Sequence, residues 1–147
     1  MPWFYVIIAL IAGTMMPTQG AINSKLTTFV HSPVLAAFFS FAVGLLALFI
    51  YILATGVPLS QLSGVKNAPP ISWTGGLCGA FFVTAVVICL PRLGLVLTFS
   101  ILILGQMLIT IPFDHFGILG VPIRQINLPR LFGVILVILG VLLIRRF

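Results

Sequence analysis

The stretch FGVILVILGVLLI, residues 132–144, is apolar from end to end. A membrane barrel strand would alternate lipid-facing and lumen-facing residues over about ten positions, and this run does not alternate. In hydrocarbon every backbone amide must find its partner within a helix or a closed barrel. The run therefore reads as a transmembrane helix. Arg130 and Arg145 bound it with 14 uncharged residues between them, short of the roughly 20 that a span requires. Snorkelling of both arginines towards the interfaces extends its reach.

The rest of the chain has the same character. Of its 147 residues 61% are hydrophobic and 5% charged, against about 25% charged in a soluble domain. The seven cations fall at Lys25, Lys66, Arg92, Arg124, Arg130, Arg145 and Arg146, and the single acid is Asp114, for a net charge of +6. Cations this scattered do not form the basic stripe of a nucleic-acid binder. They punctuate long uncharged segments instead, as in a multi-pass membrane protein.

Five helices are predicted, over residues 3–24, 33–55, 73–91, 95–113 and 128–144, in one transmembrane domain covering 1–147. Trp3 and Tyr5 anchor the first at an interface. Its start lacks the positive leader of a signal peptide, so it is expected to be retained. Pro17 lies inside it and predicts a kink. Pro33 suits the first turn of the second helix. GVPLSQLSGVKNAPP (56–70) reads as the linker to the third. The turn PRLG (91–94) is short enough to predict antiparallel neighbours in helices three and four.

Small residues recur at packing intervals. Ala36, Ser40 and Gly44 form a row on the second helix, Gly75 and Gly79 a GxxxG step on the third, and Gly133 and Gly140 a heptad-spaced seam on the fifth. In lipid, helices associate through close backbone approach at such residues. Plain packing within the chain is the default role, and contact with a partner subunit is the other.

With the N-terminus on one face, that face carries Lys66, Arg124 and Arg130, and the opposite face Lys25, Arg92, Arg145 and Arg146. Lys/Arg asymmetry orients membrane proteins, and three against four is nearly none. Insertion both ways round follows as an expectation. So does an antiparallel dimer of ten helices, which reproduces the inverted-repeat plan of many secondary transporters. A heterodimer with an oppositely oriented paralogue is the alternative.

Polar side chains inside a span are costly and mark function by default. Gln19 and Asn23, four apart, share a face of the first helix with Met15; Gln106 stands alone in ILILGQMLITI. Thr14, Thr18, Thr84, Thr98 and Ser100 are weaker candidates, because hydroxyls bond back to their own helix. At about 1.5 Å per residue, Gln19 lies some 24 Å from Trp3 and Gln106 some 21 Å from Arg92. These depths separate the two amides within a chain but align them across an antiparallel pair. Asn23 and Lys25 likewise approach the level of Asp114 and His115 of an opposed chain. Two symmetry-related polar sites open to solvent in turn are expected, with Gln19, Asn23 and Gln106 on the solute pathway. The competing role for these amides is an interhelical hydrogen bond that only holds the bundle together.

Asp114 and His115, at the end of the fourth helix, are candidates for proton coupling or for an interfacial loop pair. With no Glu and one Asp, recognition of organic cations by a buried carboxylate is disfavoured, which leaves neutral or anionic solutes or facilitated diffusion. Two-carboxylate catalysis needs two acids. No nucleophile–His–acid set or Gly-rich phosphate loop is present. Cys78 and Cys89 lack metal-ligand spacing and read as packing residues. No enzyme activity, cofactor, metal or nucleic-acid partner is expected; the partners are the bilayer, a second subunit and a small solute.

PTQGAIN (17–23), SFAVGL (40–45), WTGGLCGAFFV (73–83), PRLG (91–94), GQ (105–106), DHFG (114–117) and RLFGVILVILGVLL (130–143) together resemble the small five-helix YdcZ-like family of the drug/metabolite transporter superfamily. At Ser72-Trp73 the chain departs from the family's aromatic pair. The resemblance implies an α-helical, multi-pass protein of a prokaryotic plasma membrane, acting as an antiparallel dimer or occurring as a fused double-length chain. It names no substrate. Of the motif positions, it points to Gln19, Asn23, Gln106 and Asp114 as functional candidates. The leading expectation is a carrier or exporter of a small metabolite or drug-like solute. A dual-topology ion channel, a non-transporting membrane subunit and a lipid-carrier flippase are the alternatives. Against the channel, these helices lack the polar rings of a filter at mid-depth.

Overall fold

The computed structural model describes residues 3–146, and among these it contains helices and no strand. The five long helices are α1 (Trp3–Val30), α2 (Pro33–Thr55), α3 (Gly75–Leu93), α4 (Leu95–Phe116) and α5 (Leu128–Arg146). Shorter 3-10 helices run over Leu59–Asn67, Pro70–Trp73 and Ile118–Gly120. With Pro70–Trp73 leading directly into α3, five segments of 28, 23, 24, 22 and 19 residues are long and apolar enough to cross a membrane. The chain is an all-α integral membrane protein. The last segment includes Arg130, Arg145 and Arg146; its 19 residues rise about 28 Å, close to the hydrocarbon thickness.

Polar residues end the apolar run of α1 at Ser24 but not its helix. Thr27 Oγ1 donates to Asn23 O at 3.0 Å and Thr28 Oγ1 to Lys25 O at 2.8 Å, so these hydroxyls are satisfied without leaving helical geometry. The helix also continues through Pro17, and stops where His31 adopts a left-handed φ of 54°. Ser32 then caps α2, its Oγ accepting from Leu35 N at 3.3 Å ahead of Pro33. In the linker, Pro58 and Pro69 immediately precede the two 3-10 helices, where the sequence alone predicts a loop. Bonds such as Gln61 N to Pro58 O at 3.1 Å hold the first of them.

The helices gather into two compact units, one through Arg92 and one from Leu93 onward. In the first, Gly20 and Asn23 of α1, Ala36 and Ala37 of α2, and Val83, Val86 and Val87 of α3 are buried. In the second, the buried residues are Thr98 of α4 and Val134 and Val141 of α5. Most large apolar side chains of all five helices remain exposed on the chain, as expected where lipid is the solvent. Gly94 alone separates α3 from α4, with a φ of 76° that suits glycine.

Candidate functional site

α1 and α2 bring several of the polar residues predicted within the spans to one cleft. Met15, Met16, Thr18, Gln19, Ile22, Asn23 and Ser40 line an open cleft of about 390 Å³. Four of the seven are polar, and Met15, Gln19 and Asn23 stand on the single helix face that the i, i+4 spacing predicts. Gln19 is exposed in the cleft and its Nε2 reaches Ser40 Oγ at 3.5 Å, a long bond worth a fraction of a kcal/mol between membrane helices.

Asn23 is the unusual member. It is 3% exposed, and its Nδ2 has no hydrogen-bond partner. On its other side, Met16, Gln19, Gly20 and Asn23 of α1 face Phe82, Val83 and Val86 of α3 across a crevice with no room for a water-sized sphere. A buried amide with nothing to bond costs about 1–3 kcal/mol.

Gln106 lies in the other unit, exposed on α4, its side chain without a hydrogen bond to another described residue. Thr98 is 3% exposed with an unpartnered Oγ1, the second buried polar orphan among the described residues.

Asp114 and His115 are tied to the segment that leads into α5. Arg124 N donates to Asp114 O at 2.7 Å and Ile126 N to His115 Nδ1 at 3.3 Å. The latter bond places the proton of a neutral His115 ring on Nε2. Arg130 Nη1 lies 3.5 Å from Asp114 Oδ2 and also donates to Arg124 O at 3.2 Å. Side-chain exposures of 38% and 40% make this a modest ion pair. Arg130 as the acid's partner was not evident from sequence, because the pairing depends on how the 114–130 loop folds back. Met107, Thr110, Ile111, Asp114, Ile126, Arg130, Leu131, Gly133 and Val134 line a second cleft of about 430 Å³ between α4 and α5.

The small-residue rows divide. Ala36 is fully buried, Ser40 faces Gln19, and Gly44 is exposed with open space where a Cβ would sit. A Cβ on Gly79 would come within 3.2 Å of the Phe41 ring, whereas one on Gly75 would meet nothing. On α5, Gly133 and Gly140 also have open space. The buried pair at heptad spacing is Val134 and Val141, one residue further along.

The sequence model of the family described as "Putative inner membrane exporter, YdcZ" matches residues 4–143. No curated protein and no solved structure matches the chain. With a match over nearly its whole length and five helices of membrane-crossing length, the chain belongs to the YdcZ family and is a multi-pass protein of the cell inner membrane.

Proposed function

We propose that this chain is one half of a secondary exporter of small neutral or anionic solutes, and that two copies pair antiparallel into a ten-helix carrier. The observation that carries this reading is Asn23: a buried, unpartnered amide beside Gln19 and Ser40 in a cleft of about 390 Å³. Small-molecule sites are built this way, from a largely apolar pocket with a few convergent polar groups. The sole acid is Asp114, and Arg130 stands 3.5 Å from it, so the carboxylate that would select cations is already paired with one. The near-balance of cations on the two faces supports paired, opposite insertion. In such a pair Gln106 of one chain reaches the depth of Gln19 of the other.

Reporters fused to the C-terminus test the pairing, since dual insertion places them on both faces. A reporter found on one face only, with no oppositely inserted companion, overturns it. A thermal-shift screen of the purified protein against neutral and anionic metabolites and drugs tests the site: binding to the folded state raises stability by about 2.7 kcal/mol at a hundredfold excess over Kd. Gln106→Leu is expected to abolish transport of a hit while leaving dimerisation intact. Transport that survives this change reduces Gln106 to a structural role.

A further inference from the structure

We propose that the cleft between α4 and α5 seats an anionic phospholipid, with one acyl chain between the helices and the phosphate on Arg130. The cleft holds about 430 Å³, and from Met107 to Asp114 it follows α4 for about 10 Å. Its walls are apolar: Thr110, the polar residue partway along, turns its hydroxyl back to Met107 O at 3.2 Å. Gly133 opens the α5 wall, for a Cβ there would meet nothing within 4 Å.

Charge gathers at one end only. Asp114 lies two residues before the end of α4, and Arg130 is the third residue of α5. Both therefore stand at helix ends, the level of lipid headgroups. Arg130 commits only Nη1 to Asp114 and Arg124 O, leaving Nε and Nη2 without partners among the described residues. A guanidinium matches phosphate geometry with such a fork of donors. Arg124, on the loop that leads into α5, adds a second cation to this segment against the one acid, a balance of +1. Basic pockets between membrane helices recognise anionic headgroups in this manner, and the apolar slot behind the charge is what separates a lipid from a free phosphate. The inference needs only membrane placement and is independent of the transport reading.

Native mass spectrometry of the full-length protein, released from detergent after incubation with phosphatidylglycerol or phosphatidylcholine, tests it. The unmodified chain is expected to retain phosphatidylglycerol about fivefold better. Arg130→Gln should bring the two lipids level, Arg130→Lys, which keeps the charge without the fork, should keep only part of the preference, and Gly133→Leu should lower retention of both by filling the slot. Equal retention by the unmodified chain overturns the proposal, as does a preference unaffected by Arg130→Gln. If Gly133→Leu changes the subunit count but not lipid retention, the cleft is a contact between copies of the chain and the proposal fails. Should Arg130→Gln not fold, Arg130→Lys and Gly133→Leu decide the matter by themselves.

Discussion

Gln19 of α1 approaches Ser40 of α2 at 3.5 Å, Nε2 to Oγ, so an intramembrane amide meets a small residue of the α2 packing row. The contact is too long to bind the hairpin tightly, and Gln19 stays accessible from the cleft that also holds Thr18 and Asn23. Stability at this place comes instead from the close fit of Gly20, Ala36 and Ala37, all buried.

Asn23→Leu is therefore expected to leave thermal stability unchanged or raise it by about 1 kcal/mol, because it removes an unsatisfied buried amide. It should also abolish any ligand-induced thermal shift. Gln19→Leu should lose the same response at a stability cost below about 1 kcal/mol. A marked fall in melting temperature for Asn23→Leu without ligand would show that the amide already has a partner.

The two glycines of the α3 step should behave differently. Gly79→Leu forces a side chain against the Phe41 ring, which would stand 3.2 Å from its Cβ, and is expected to cost about 1–3 kcal/mol. Gly75→Leu enters open space and should be nearly neutral. Combining Gly79→Leu with Phe41→Ala should recover part of the loss, read as coupling in a double-mutant cycle of detergent melting temperatures.

Gly117 closes α4 with a φ of 64°, and a Cβ there would lie 2.8 Å from Ile123 Cγ1. Gly117→Ala should destabilise by about 1–2 kcal/mol from left-handed strain, with the Ile123 clash in addition, and speed proteolysis within residues 118–127. Gly120→Ala has the strain, at a φ of 80°, without the clash, and should cost less. Equal effects would place the cost in backbone conformation alone.

On α5, Val134→Ala and Val141→Ala remove buried methyl groups and should each cost about 1 kcal/mol, near the lower end of core truncations. Gly133→Ala and Gly140→Ala, with open space around both, should cost almost nothing and gain slightly in helix propensity. The reverse ranking in thermal unfolding would return the seam to the glycines.

Length and polarity were legible before any coordinates. FGVILVILGVLLI reads as a span once its flanking arginines snorkel, and the polar face of Met15, Gln19 and Asn23 followed from residues four apart. The end of α1 was less legible: the apolar run stops at Ser24 while the helix continues to Val30. A membrane boundary and a helix boundary are different things, and threonine hydroxyls that bond back to the helix allow it to extend beyond the first.

Read alone, the sequence established that this chain crosses a bilayer in helices and which few polar groups they carry inward; the fifth span, short between its arginines, gained its full length in the structure. Hydrophobic length and the rarity of charge are properties of a one-dimensional string. Only the tertiary structure decided which residues meet: Gly79 with Phe41 but Gly75 with nothing, Val134 and Val141 rather than the glycines before them, Arg130 with an acid sixteen positions away. Such choices depend on how each helix is rotated about its axis. Lipid is as apolar as a protein interior, so an oily helix carries almost no pattern from which that rotation can be read.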